Sequence, residues 1–288
     1  MENIGFIGVG NIGNPMAKCL IRAGYKLTVC DKSPQARQEF KEVAVRITEE
    51  PADCANSDMI IVMVASDSQV KEVMLGPDGV LNAVDPKQPP LLAIMSTILP
   101  QTTQEIALQC AEQNVRLVDA PVSGGPVVAE QGKLSIMVGG KETDLEAMRP
   151  IFEVMGENIY HTGALGFGDV TKLVNNIIGV ANLFLTVEAM QVGKKCGMDP
   201  YKLASILETS SGRNFLTQDW EKGRAFLDIF SKTLDSAKLA CDLGRKDLGH
   251  AQQLATGVQL ACPILDQIVN VVNNFSPEEI MERWSSVT

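Results

Sequence analysis

The sequence predicts two domains, a doubly wound α/β domain with a mainly parallel sheet over residues 1–163 and an all-α domain over residues 164–288. Three observations carry this. Short β-branched runs alternate with longer amphipathic stretches in the first half, the pattern of repeated βαβ units. A glycine-rich turn follows the first of those runs directly. Beyond Gly163-Ala-Leu-Gly-Phe-Gly168 the period-two pattern stops and long helical periodicity takes over.

The elements follow in order. Candidate strands are Ile4 to Val9, Lys26 to Asp31, Met59 to Val64, Leu91 to Met95, Arg116 to Asp119 and Leu134 to Val138, each bounded by Gly, Pro, Asp or Asn. Their near-continuous apolar character implies a sheet covered on both faces. The second half opens with a helix from about Asp169 to Cys196, apolar on most faces, which requires cover from other helices or from a second subunit. Within it the uncharged stretch Leu173 to Val187 holds three asparagines and falls short of a membrane span.

Composition narrows the function classes. Hydrophobic residues make up 45% of the 288 and charged residues 21%, as in soluble globular chains, so a disordered chain is excluded. A net charge of −10 opposes attraction to nucleic acid or anionic lipid. The start Met1-Glu2-Asn3 lacks the basic region of a secretory signal, which points to the cytoplasm. Seven dispersed cysteines suggest neither a disulfide framework nor a metal site, and two histidines, His161 and His250, leave little for zinc or iron.

Gly8-Val9-Gly10-Asn11-Ile12-Gly13 fits G-x-G-x-x-G between a strand and a helix. The glycines allow a tight turn and close backbone approach, and the helix N-terminus near Asn11 and Ile12 offers N–H groups to a pyrophosphate. Asp31 ends the second strand, where a carboxylate accepts the ribose hydroxyls and repels a 2′-phosphate. NAD is favoured. Lys32 and Arg37 lie close by and keep NADP open.

Lys172 and Asn176 share a helix face four residues apart, with Asn175 adjacent. The positive helix end and the apolar run after it disfavour the ammonium, so this lysine is expected to titrate nearer neutrality and to exchange a proton with a carbonyl or hydroxyl oxygen. The alternative is a surface lysine snorkelling from a buried helix. The Ser123-Gly124-Gly125 turn at a strand end suits a carboxylate, or else simply connects strand to helix. Arg245 and Lys246 form a basic pair in a helical segment, and Arg213 sits in a loop where it either grips a second carboxylate, as in a dicarboxylic semialdehyde, or faces solvent.

Four blocks in order resemble the β-hydroxyacid dehydrogenases related to 3-hydroxyisobutyrate dehydrogenase, over nearly the whole chain. They are Gly5-Phe-Ile-Gly8-Val-Gly10-Asn-Ile-Gly13-Asn-Pro-Met16, Asp119-Ala-Pro-Val-Ser-Gly-Gly125, Gly168-Asp-Val-Thr-Lys172-Leu-Val-Asn-Asn176 and Lys246-Asp-Leu-Gly249. The resemblance implies an N-terminal Rossmann domain, a helical C-terminal domain, and Lys172 as general acid in reduction and base in oxidation. It further implies that Ser123, Gly124 and Asn176 hold the substrate carboxylate, that Thr97 touches the nicotinamide side, and that Lys246 closes over cofactor and substrate. Val64-Ala65 stands where Leu-Pro is common in the family, and Ile94 stands where many members carry Asp; both blocks line the cofactor. Asn175 replaces the His of the longer 6-phosphogluconate dehydrogenases, and imine reductases usually lack the lysine.

The expected activity is hydride exchange between a nicotinamide cofactor and a small β-hydroxy acid, interconverted with its semialdehyde by a homo-oligomer. Two rivals stand: an NADPH-dependent reductase of glyoxylate or short semialdehydes, and a catalytically silent dinucleotide-binding sensor.

Overall fold

Strand β1 (Asn3–Ile7) lies in the middle of a parallel array built with β2 (Lys26–Cys30), β3 (Arg46–Thr48), β4 (Met59–Val62), β5 (Leu91–Ile94) and β6 (Arg116–Asp119), in the spatial order β3-β2-β1-β4-β5-β6. Phe6 pairs with Val29 on one side and Ile61 on the other. The computed structural model describes residues 1–287. They divide into two compact units, Met1–Lys172 and the residues from Leu173 on.

Beyond β6 the sheet continues through β8 (Leu134–Gly139), antiparallel to β6 where Asp119 pairs with Gly139. β7 (Val122–Ser123) pairs antiparallel and β9 (Gly156–Gly163) parallel with β8. Six strands are expected from the sequence; β3, β7 and β9 are additional. The strands read as running to Val9, Asp31, Val64 and Met95 stop at Ile7, Cys30, Val62 and Ile94. The trimmed residues form loops along the C-terminal edge of the parallel strands, where doubly wound sheets bind their ligands.

Alternation along each strand divides two cores. Ile4, Phe6, Met59 and Ile61 pack on one face of the sheet with Met16 and Leu20 of α1 (Gly13–Arg22). Ile7, Ile60 and Val62 pack on the other with a second set of helices. These helices follow α2 (Pro34–Gln38): α3 (Asp67–Leu75) and α4 (Pro100–Glu112) supply Val70, Met74 and Ile106. α5 (Gly125–Glu130) and α6 (Glu142–Met155) join α1, where Met148 and Phe152 are fully buried. Each such side chain contributes about 1.5–3 kcal/mol by burial.

The second unit is helical. After the long helix α7 (Phe167–Lys195) come α8 (Pro200–Leu207), α9 (Trp220–Ser231), α10 (Leu234–Gly257), α11 (Pro263–Asn274) and α12 (Pro277–Ser285). Asp199, Asp219, Thr233 and Ser276 cap the starts of α8, α9, α10 and α12 with side-chain oxygens, satisfying N–H groups that a helix start leaves unpaired. Its core gathers Leu183, Val187 and Met190 of α7 around Trp220, Leu227, Ile280 and Trp284.

Helix α7 departs from expectation. It is the one helix among the described residues long and apolar enough to cross a membrane. The uncharged stretch alone is too short to span, and the turns that flank it bring the helix to spanning length. The sequence asks for cover from other helices or from a second subunit, and within the one chain Val174, Ile178, Leu185 and Val192 stand 48–65% exposed, an apolar stripe along the helix.

Candidate active site

The three fingerprint glycines have distinct reasons to lack a side chain. Gly8 takes a φ of +92°, and a Cβ there would stand 2.4 Å from the Met63 carbonyl oxygen. At Gly13 a Cβ would meet the Gly8 carbonyl oxygen at 1.9 Å, so the third glycine lets α1 pack onto the turn. Gly10 has nothing within 4 Å of its would-be Cβ, so no packing within the chain demands a glycine. It is open toward the place where a pyrophosphate would lie, beside a helix start with no acidic residue and no side-chain cap. The cradle fits a dinucleotide. Asn11 and Ile12 lie in the turn itself, ahead of the first helical residue, Gly13, rather than on the helix.

Asp31 follows β2 and its carboxylate is held by two backbone N–H groups: Val9 donates to Oδ2 at 2.9 Å and Ser33 to Oδ1 at 2.8 Å. The first bond ties this carboxylate to the fingerprint loop. Arg37 donates to the carbonyls of Asp31 and Lys32 at 2.6 and 3.3 Å. Its other guanidinium nitrogen lies 3.1 Å from Glu49, and Lys32 pairs with Glu72 at 2.5 Å.

The loops after β4 and β5 are joined by Ser96, whose hydroxyl accepts from the Val64 N–H at 2.9 Å. Ala65 donates its N–H to Gln69 at 2.8 Å, and Thr97 follows Ser96 in the loop before α4. Asp67 accepts from the Leu99 N–H and the Thr102 hydroxyl at 2.9 and 2.8 Å, binding the same two loops together. Gly8, Gly10, Gly13, Asp31, Val64, Ala65 and Thr97 therefore lie along one edge of one sheet.

Asp119 ends β6 and is fully buried. Its Oδ1 accepts from the Gly166 N–H at 2.7 Å and its Oδ2 from the Asp169 N–H at 2.8 Å, so a carboxylate from the sheet anchors the first turn of α7. Cβ atoms at Gly139 and Gly168 would stand 2.4 and 2.7 Å from its oxygens; both glycines make room for it. Lys172 follows three residues after Asp169 and is only 9% exposed. Ser123 and Gly124 lie four and five residues after Asp119, with Gly124 at φ +143° and Gly125 at φ +76° and open. Asp169 accepts from the Thr103 hydroxyl at 2.6 Å through Oδ2, while its buried Oδ1 has no hydrogen-bond partner among the described residues. Burial, and after it the charge of Asp119, hold the Asp169 carboxyl well above the usual carboxylate range; burial also raises Asp119, against the pull of the N–H groups it accepts.

In the helical unit, Asn176 donates from its amide nitrogen to Asp247 Oδ2 at 2.6 Å and accepts from Asn175 at 3.0 Å. Lys246 Nζ lies 3.3 Å from Asp247 Oδ1. Asn176 and Lys246 are thus joined through Asp247, a member of the Lys246-Asp-Leu-Gly249 block to which the sequence attaches no role of its own. Arg213 is exposed in the segment between α8 and α9.

Residues 3–163 match the family profile described as the NAD binding domain of 6-phosphogluconate dehydrogenase, and residues 166–282 the one described as NAD-binding of NADP-dependent 3-hydroxyisobutyrate dehydrogenase. The chain is 39% identical over 264 residues to the mitochondrial 3-hydroxyisobutyrate dehydrogenase of Rattus norvegicus, covering 91% of this chain and 78% of that one. The chain belongs to the β-hydroxyacid dehydrogenase family. The 3-hydroxyisobutyrate dehydrogenase of Pseudomonas aeruginosa is 35% identical, over 92% of this chain and 89% of its own. Among solved structures, a 3-hydroxyisobutyrate dehydrogenase of Mycobacterium tuberculosis determined with L-serine superposes with a TM-score of 0.80 at 25% identity, covering 98% of each chain.

As a β-hydroxyacid dehydrogenase the chain is an NAD(P)-dependent oxidoreductase that acts on the CH–OH group of a small molecule. The imine reductase of Myxococcus stipitatus, at 16% identity and a TM-score of 0.65, shares the fold alone.

Proposed function

We propose that this dehydrogenase interconverts a small β-hydroxy acid and its semialdehyde, with NAD preferred and Lys172 as the proton-transfer group. The nicotinamide, when bound, supplies or accepts the hydride. In oxidation Lys172 Nζ takes the hydroxyl proton as hydride leaves the carbon; in reduction it returns that proton to the carbonyl oxygen. Ser123 and Gly124 hold the substrate carboxylate by hydroxyl and backbone donors, and Asn176, oriented by Asp247, adds an amide donor. Val64, Ala65 and Thr97 line the cofactor, Lys246 closes over it, and Arg213 receives a second carboxylate where the substrate has one. Residues 1–163 bind the dinucleotide, and residues 164–288 shape the substrate pocket and the contacts of a homo-oligomer.

The observation that carries this is a lysine only 9% exposed, one turn beyond a helix start gripped by a buried carboxylate. A snorkelling surface lysine needs no such anchoring. Replacing Lys172 by Ala is expected to lower kcat by roughly 10² to 10⁴ with an unchanged dissociation constant for NAD, and Arg is expected to fail equally because guanidinium keeps its proton. Activity above about half of the unmodified rate in the Ala variant would place the proton acceptor elsewhere.

A further inference from the structure

We propose that Glu49 and Glu72 act as a charge guard that makes the adenosine-ribose end of this site reject a 2′-phosphate. The inference rests on the Gly8–Gly13 turn and Asp31 being the dinucleotide site, and assigns the choice of dinucleotide there to residues outside the fingerprint. In sequence, Lys32 and Arg37 stand immediately after Asp31, where cations neutralise the extra phosphate of NADP. The structure pairs both with carboxylates. Arg37 is 18% exposed and spends its donors on the Asp31 and Lys32 carbonyls and on Glu49. Turning it outward would leave those carbonyls without it, so it serves as a brace of the turn after β2.

Lys32 is different. It is 70% exposed, and an exposed pair restrains its lysine weakly, so Glu72 acts on it by cancelling charge rather than by locking it. Pairing with Glu72, and after it the charge of Glu50, raises the Lys32 ammonium above its ordinary range, which marks how acidic the surroundings are. Lys32, the residue after Asp31, lines a recess with Glu49, Glu50, Glu72 and Asp78; counting Arg37 against Glu49, two cations face four carboxylates. A dianionic phosphate entering there meets net negative charge even if Lys32 swings toward it. Asp31 adds a further carboxylate, held in place by two backbone N–H donors. An uncharged 2′-hydroxyl meets no such penalty.

Titration calorimetry of the full-length protein with NAD⁺ and NADP⁺ tests this without reliance on turnover. The Glu49→Gln/Glu72→Gln variant frees Lys32 and removes two charges while keeping side-chain shape, and is expected to bind NADP⁺ about tenfold more tightly with NAD⁺ affinity held within about twofold. In the unmodified chain, raising KCl from about 0.1 to about 1 M shortens the Debye length from about 10 to about 3 Å and is expected to narrow the gap between the two dinucleotides. An NADP⁺ affinity that moves less than about twofold in the double variant overturns the guard while leaving the dinucleotide site standing. An unmodified chain that binds neither dinucleotide removes the site and the guard together.

Discussion

Gly10 and Gly13 separate two reasons for a glycine, and their alanine variants should fail in opposite ways. A Cβ at Gly13 would stand 1.9 Å from the Gly8 carbonyl oxygen and 3.2 Å from the Phe6 ring, so the turn must open by about 1 Å. Forcing extra volume into a packed site costs about 1–3 kcal/mol. For a unit of this size that lowers Tm by roughly 2–12 °C. Gly10→Ala meets nothing within 4 Å, and Gly10 does not take a positive φ, so Tm should hold or rise slightly. The methyl group would instead stand where a pyrophosphate must approach the backbone. Thermal melts with and without NAD⁺ read both effects, because a ligand at about 100 times its dissociation constant stabilises by about 2.7 kcal/mol. Gly13→Ala should melt early; Gly10→Ala should melt normally and lose the NAD⁺-induced shift. A Gly10→Ala protein that keeps the full shift would refute the assignment of the open glycine to the phosphates.

Two further outcomes follow from the same geometry. Because burial and Asp119 raise the Asp169 pKa in the folded state, the native protein keeps a proton that the unfolded chain releases above about pH 4. Asp169 therefore favours folding fully below the unfolded pKa, and that contribution is lost as pH rises through the folded value. Asp169→Asn, which keeps an acceptor for Thr103, should match the unmodified Tm at low pH and exceed it increasingly as pH rises; a constant or shrinking difference would count against the buried proton. The exposed stripe of Val174, Ile178, Leu185 and Val192 predicts a homo-oligomer. Sedimentation should show more than one copy at micromolar concentration, with Ile178→Glu/Leu185→Glu shifting it toward monomer, and a stable unmodified monomer would remove this assignment.

The doubly wound core was legible because its strands are covered on both faces and read as unbroken apolar runs. β3 and β7 are three and two residues long, and half of β9 is exposed with only Gly156 buried, so none carries a burial pattern to read. The fingerprint loop and Asp31 were legible because their chemistry is local, within one βαβ unit. What escaped was long-range pairing. Nothing near Asp119 in sequence says that it receives N–H groups 47 and 50 residues away, nor does Asn176 announce an acceptor 71 residues on. Lys32 and Arg37 look like phosphate ligands until Glu72 and Glu49 are placed beside them by the fold.

The grip of Asp119 on α7 also bears on where this chain can be cut. A fragment that stopped at Gly163, after the last strand, would keep the buried carboxylate of Asp119 and lose the N–H donors of the helix start, Gly166 and Asp169, along with the Asp169 oxygen that receives Thr103. A buried charge stripped of its donors is among the costliest defects a fold can carry, at several kcal/mol. The smallest self-sufficient dinucleotide-binding piece therefore has to include the opening turns of the following helix. The lysine proposed for chemistry travels with that piece, so an evolutionary or laboratory exchange of the helical part would inherit the proton-transfer group from its neighbour rather than bring its own.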